Sequence, residues 1–498
     1  MAPSRALRRA FAGRPGCTAA PGLLLRPQSE PSFRSGRWFA SARESSTNSQ
    51  TSKIAPLEGV RVLDMTRVLA GVSSPFVAVP PFACLSSWSL VGGLGKRPEE
   101  AIELMGSAEI IKIEHPTRGD DTRAWGPPYA KYKDDALAKS GKPGESAYFI
   151  GTLKWGFDRC FQVNRNKKSV GLSFQHPEGV KILHELAKTS DVLVENYIPG
   201  ALKKYQLDYE SIRKINPRLI YASITGYGQY GPYSPRAGYD VMVEAEMGLM
   251  HITGERDGSP VKVGVAVTDL TTGLYTCNAI MASLLARQRT DRGQHLDVAL
   301  ADCQVATLAN IASSVLISGE RDGGRWGTAH PSIVPYKGFK TRDGDIMLGG
   351  GNDRLFGIIC DKLGRPEWKT DPRFVTNDVR VQHRAVLEDM IEQITRTRTT
   401  KEWLAVLEGS GMPYAAINDV KDTLDHAHVR ARGMVADLDH PACGSVKVVS
   451  HPVKYSETAA GPRTAPPTLG QHTDFVLRDL LNKEDGEIEA LRQAGVVA

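Results

Sequence analysis

The residue with the clearest chemical potential is a single aspartate in the middle of the chain. Asp269 sits in the stretch Val265-Ala266-Val267-Thr268-Asp269-Leu270-Thr271-Thr272-Gly273. Before it, valine recurs at every second place (Val261, Val263, Val265, Val267), and after it residues 274–286 are apolar with helical spacing. The alternation predicts a strand and the spacing predicts a helix, which places the carboxylate at a helix mouth. There the positive end of the helix dipole favours the ionised form. An ionised carboxylate held beside a thioester is a nucleophile. A plainer role is open as well: Asp269, or Thr268 before it, could cap the helix.

The surrounding elements decide what such a carboxylate can reach. Residues 59–65, 109–114, 168–174, 191–196, 219–224 and 295–300 read as strands. Helical patterns cover 177–188, 209–215 and 302–318. This alternation predicts an α/β fold with a Rossmann-like, mostly parallel sheet in a large domain over 55–318. A Gly/Arg-rich linker, 318–332, leads to a smaller α+β domain over 333–435, with a hairpin expected around Asp343-Gly344. Residues 436–498 are expected to return to the large domain, with strand-like alternation at 444–455 and a closing helix.

Charge is distributed unevenly. The formal net charge of the 498 residues is +6, yet residues 1–54 carry nine Lys/Arg against two acids, which leaves the remainder near −1. A nearly neutral body does not ask for nucleic acid. The N-terminal stretch is rich in Arg, Ala and Ser, with its first acid at Glu30. That composition predicts a mitochondrial presequence on a matrix enzyme, the plain alternative being a disordered basic tail. Seven scattered cysteines, never spaced CxxC, imply neither a disulfide framework nor a zinc site. Prolines 75, 80 and 81 argue against a membrane span over the apolar run 75–95.

Several tempting motifs fail on physical grounds. Gly92 to Lys96 lacks the first glycine of a phosphate loop, where Leu90 stands, and Arg97 occupies the Ser/Thr position. Gly226-Tyr227-Gly228-Gln229-Tyr230-Gly231 matches a dinucleotide fingerprint, but Pro232 and Pro235 prevent a helix from presenting its N-terminus there. Neither GxSxG nor HExxH occurs. His426-Ala427-His428 has no third ligand nearby.

What remains is an ordered series of short pieces. They include Leu63-Asp64-Met65-Thr66-Arg67-Val68-Leu69-Ala70-Gly71, Ile113-Glu114-His115-Pro116, Gly119-Asp120-Asp121-Thr122-Arg123 and Val194-Glu195-Asn196-Tyr197. Gly226-Tyr227-Gly228, Gly238-Tyr239-Asp240 and Thr290-Asp291-Arg292-Gly293-Gln294 follow. In this order the series resembles the class III (formyl-CoA transferase-like) CoA-transferase family. Ser332-Ile333-Val334-Pro335-Tyr336, Gly409-Ser410-Gly411-Met412-Pro413-Tyr414 and Leu469-Gly470-Gln471-His472-Thr473 narrow the likeness to its mitochondrial succinyl-CoA:glutarate branch.

That resemblance implies transfer of CoA from a dicarboxylic acyl-CoA such as succinyl-CoA to an acid such as glutarate. The route would be an aspartyl-CoA thioester on Asp269. It implies CoA contacts at Leu69, Ala70, His115, Leu172, Asn196, Tyr197, Lys204 and Tyr239, with CoA as the carried group and no permanent cofactor. An interlocked homodimer is expected, for which the stretches 318–332 and 437–452 would serve as linkers. A glycine loop closes the site in some members, and Gly323-Gly324-Arg325-Trp326-Gly327 and Gly349-Gly350-Gly351 are both candidates. A related branch racemises 2-methylacyl-CoA esters, but its histidine would fall at Tyr239, a poor base. Residues 72–108 and 151–162 exceed the family pattern, so a catalytically impaired variant is the other alternative.

Overall fold

A computed structural model describes residues 55–67, 108–134, 143–150, 164–458 and 461–498. The presequence, Leu69, Ala70 and nearly all of the two extra segments lie outside these residues.

Six parallel strands form the main sheet: β1 (Arg61–Asp64), β2 (Glu109–Glu114), β3 (Lys167–Gly171), β4 (Val192–Glu195), β5 (Ile220–Thr225) and β6 (His295–Ala299). Their spatial order is β3-β2-β1-β4-β5-β6, the Rossmann order expected from the strand–helix alternation. Every residue of β4 and β5 is buried, as parallel strands covered on both faces must be. Successive side chains then serve opposite cores. Leu63, Ile111, Val170, Leu193 and Tyr221 join one cluster, and Val62, Ile110, Val192, Ile220 and Ala222 join the other.

Helix α1 (Pro177–Thr189) begins with proline in its first turn and covers the first face through Ile182, Leu183 and Leu186. Helix α2 (Tyr209–Ile215) precedes β5, and α3 (Asp240–Glu246) follows it. The long α4 (Val267–Thr290) lays Leu284 on the second face. Its last turn is anchored where Arg287 meets Asp191 at 2.7 Å. The helix expected over 302–318 is broken into α5 (Leu300–Thr307) and α6 (Ala309–Ser318). Ala309 has φ of 48°, a left-handed turn that interrupts the helical hydrogen bonding.

Beyond residue 332, strands β7 (Tyr336–Lys340), β8 (Asp345–Gly349) and β9 (Tyr414–Ala416) make an antiparallel sheet. Helices pack on it around Phe339, Ile346, Phe356, Leu387 and Trp403. The stretch read as a linker over 437–452 is instead mostly a hairpin, β10 (Val435–His440) with β11 (Gly444–Val449). The chain end covers the open edge of β3. Ala498 donates its N–H to the Gly171 carbonyl at 3.0 Å, and Leu172 bridges Val497 in antiparallel fashion. A covered edge cannot recruit a stray strand.

Candidate active site

In a sheet of this order, the crevice lies beyond the carboxyl ends of the strands where the order reverses, between β1 and β4. The loop after β1 and the loop after β4 are stitched together there. The Arg67 N–H donates to Asn196 Oδ1 at 2.9 Å, and Asn196 Nδ2 returns a bond to the Arg67 carbonyl. The Arg67 guanidinium pairs with Asp121 from the loop after β2.

Below that loop lie three buried ion pairs. Lys167 Nζ meets Asp64 at 2.7 Å, and Lys112 Nζ meets Asp120 at 2.9 Å and the Thr66 carbonyl at 3.1 Å. Arg123 grips Glu114 with two bonds, of 2.7 and 2.8 Å. Lys112 therefore locks the β1 loop to the β2 loop from beneath.

Asp269 faces the crevice from α4. The valine run before it is not a strand: residues 261–266 are irregular, and Val261 and Val265 are nearly half exposed. A period of two makes a strand only where a neighbouring edge accepts it, and β6 takes the place beside β5. Asp269 is not the helix cap either. Ala266 holds that position without a side-chain bond, while Thr268 Oγ1 donates to Gln304 Oε1 at 2.5 Å.

A first-turn N–H has no acceptor within its own helix. For Asp269 the acceptor is Asp240 Oδ2 on α3, at 3.0 Å. Asp269 is 7% exposed. Burial, and then the Asp240 charge, push its carboxyl up to about 7. These effects outweigh the helix dipole, which was expected to favour the ionised form.

A cavity of about 380 Å³ opens in front of Asp269, lined also by Arg67, Asn196, Tyr197, Gly226, Arg236, Gly238 and Tyr239. Gly226 and Gly238 touch back to back: a Cβ on Gly226 would come within 2.7 Å of the Gly238 Cα. The first glycine of the rejected dinucleotide fingerprint thus serves loop contact, with irregular chain rather than a helix after it. A second cavity of about 210 Å³ is lined by His115, Arg118, Leu172, Phe174 and Lys204. Arg67, Tyr197 and Ala201 line both cavities.

Of the candidate CoA contacts, Asn196, Tyr197 and Tyr239 therefore stand with Asp269, and His115, Leu172 and Lys204 stand next door, beside Tyr197. Leu69 and Ala70 lie outside the described residues. Arg67, Arg118 and Arg236 were missed, although Arg67 lies within the quoted Leu63–Gly71 piece. Burial and the charges of Arg118 and Arg67 lower the His115 pKa, so cationic character in the second cavity comes from the arginines and Lys204. Neither glycine cluster lines either cavity. Gly327 bonds to the Gly254 carbonyl at 2.9 Å, and Gly350 to the Pro335 carbonyl at 2.7 Å.

The model of CoA-transferase family III matches residues 105–473. Succinyl-CoA:glutarate CoA-transferase of Mus musculus is 44% identical over 467 residues, covering 93% of this chain and 96% of that protein. The protein of the same name from Homo sapiens is 43% identical over 449 residues, covering 90% and 91%. Among solved structures, a CAIB/BAIF family protein from Brucella suis is similar with a TM-score of 0.71 at 36% identity, covering 86% of this chain and 99% of that one.

Proposed function

The chain belongs to CoA-transferase family III, and we propose from that premise that it moves CoA from succinyl-CoA to glutarate with Asp269 as the nucleophile. The observation that carries this reading is the position of Asp269: a buried carboxylate opening onto the crevice, next to a cavity rich in cationic side chains. In the first step an Asp269 oxygen attacks the succinyl thioester carbonyl, forming a mixed anhydride and releasing CoA thiolate. The thiolate attacks the Asp269 carbonyl, leaving an aspartyl-CoA thioester and free succinate. Glutarate then attacks that thioester and again releases thiolate, which takes the glutaryl group as glutaryl-CoA and restores Asp269. Each step exchanges one acyl bond for another, so thioester energy is conserved as long as water stays out.

Arg67, Arg118 and Lys204 suit the phosphates of CoA, and the passage shared through Tyr197 and Ala201 suits its pantetheine arm. No histidine lines the cavity holding Asp269 among the described residues, and Tyr239 at its rim gives the racemase reading no base. The test is transfer by the purified chain from succinyl-CoA to glutarate. Without acceptor, succinyl-CoA should leave a CoA adduct on the peptide carrying Asp269. A folded chain with neither transfer nor adduct would favour the impaired variant.

The same reading includes a homodimer in the mitochondrial matrix. Helix α6 has no buried residue, and its Leu316 and Ile317 are 84% and 88% exposed. Apolar surface of that kind calls for a partner, and a second copy would supply it. Among the described residues no single helix is long and apolar enough to cross a membrane; α5 and α6 pass only as a pair bent by 76°. The reading also divides the chain into a large CoA-binding domain over 55–318, a small domain over 333–435 and a returning segment over 436–498. The contacts of Ala498 and Val497 with the end of β3 support the last of these.

A further inference from the structure

The carboxylate that holds the Asp269 backbone shares its helix with a second, buried carboxylate. Glu244, one helical turn after Asp240 on α3, has no exposed surface. Its Oε2 accepts the N–H of Val263 at 3.0 Å, from the segment that leads into α4. Its Oε1 is buried, has no hydrogen-bond partner, and belongs to a carboxyl that interacts with Asp240. Two carboxylates that interact away from water resist being ionised together. An acceptor left unsatisfied beside another acceptor marks where a shared proton belongs. The other charged groups around the pair are Lys262, whose ammonium turns to the Val263 carbonyl at 3.3 Å, and Asp269 beyond Asp240.

We propose that Glu244 is a positioning residue for CoA transfer: protonated on Oε1, it donates to Asp240 and so fixes the acceptor that holds the Asp269 N–H. A single chain of hydrogen bonds then runs from Val263 through Glu244 and Asp240 to the first turn of α4. Loss of the proton removes the donor and sets a second negative charge against Asp240, which loosens its hold on Asp269. Burial pushes the Glu244 carboxyl up to about 7, with the Asp240 charge adding to it. The inference rests on Asp269 being the nucleophile.

Glutamine is the discriminating substitution, because its amide offers an N–H to Asp240 and a C=O to Val263 as the protonated acid does, without titrating. Glu244→Ala should lower kcat by about ten- to a hundredfold, the scale of a misplaced reacting group, with KM for succinyl-CoA unchanged. Glu244→Gln should restore kcat to within about threefold and lack the alkaline fall expected of the wild type above pH 7. Below pH 7 the infrared spectrum of the whole protein minus that of Glu244→Gln should leave the carbonyl stretch of one buried carboxylic acid, over the bands of Asp269 and Glu195 that both proteins keep.

An alkaline limb in Glu244→Gln identical to the wild type, or no difference in the acid band, would overturn the proposal. If Glu244→Ala does not fold, the glutamine variant decides alone. The infrared band needs no turnover, so a wild type that fails to transfer CoA would count against the proposed reaction and leave the proton on Glu244 still open to measurement.

Discussion

Asp64 and Asp120, beneath the loops after β1 and β2, each face a buried lysine, at 2.7 and 2.9 Å. Asp269 and Glu244, on the helices across the crevice, each adjoin Asp240 instead. All four are buried, and burial alone raises a carboxyl pKa. Beside Asp120, Lys112 and the bonds from Thr122 overcome that burial and hold the carboxyl at about 2. Beside Asp64, Lys167 and Lys112 do the same in direction. Around Asp269 nothing opposes it, and the carboxyl rises to about 7. The carboxylates that brace the loops are neutralised within the fold, whereas the carboxyl proposed as nucleophile has no cation to offset its burial.

The largest break in this comparison should come from Asp269→Asn. Removing the nucleophile should lower kcat by at least about a thousandfold in the transfer assay. The same variant should be more stable than the wild type at neutral pH. The raised carboxyl keeps its proton in the folded state while the unfolded chain releases it near 3.8. Its favourable contribution is therefore complete below that value and is lost as pH rises towards 7. The shift corresponds to about 2–4 kcal/mol by urea unfolding above neutrality, and no gain in acid.

The paired region should respond in the opposite sense. Lys112→Met leaves Asp120 buried without its cation and should destabilise the fold by about 3–5 kcal/mol, measured by urea unfolding at neutral pH. In the wild type the Asp120 contribution is present above 3.8 and is lost as pH falls to about 2.

A smaller effect is expected from Asp240→Asn, which keeps an oxygen for the Asp269 N–H but removes the neighbouring charge. The acid limb of kcat against pH should move down by about one unit. An unmoved limb would mean that burial alone sets the Asp269 value. The smallest effect belongs to the rim of the second cavity. Arg118→Gln should raise KM for succinyl-CoA by about three- to tenfold, with kcat unchanged.

Much of this was legible in the residues because the signals are local. Buried parallel strands are continuous apolar runs, so the six-stranded sheet could be anticipated from runs such as Ile220–Thr225, with strand ends placed to within three residues. Helix α2 matched its expected span of 209–215. The ordered motifs pointed to Asp269 and to side chains that line the two adjoining cavities. Less legible were features that depend on what lies across a gap. The valine run has the period of a strand, yet no sheet edge is there to receive it. Ala309 adopts a left-handed turn that no residue type announces. Arg118 and Arg236 belong to none of the quoted pieces, and it is the fold that places them on cavity walls.

By itself the sequence determined the alternation that makes an α/β sheet and the family to which the chain belongs, since both are written in residue order. The chemical state of the site was settled only by tertiary structure. Asp240 lies 29 positions before Asp269 yet accepts its N–H at 3.0 Å, and Glu244 joins the same group from one turn further along α3. A carboxyl titrates according to the burial and charge around it, and for Asp269 those come from chain segments that meet only when α3 packs against α4.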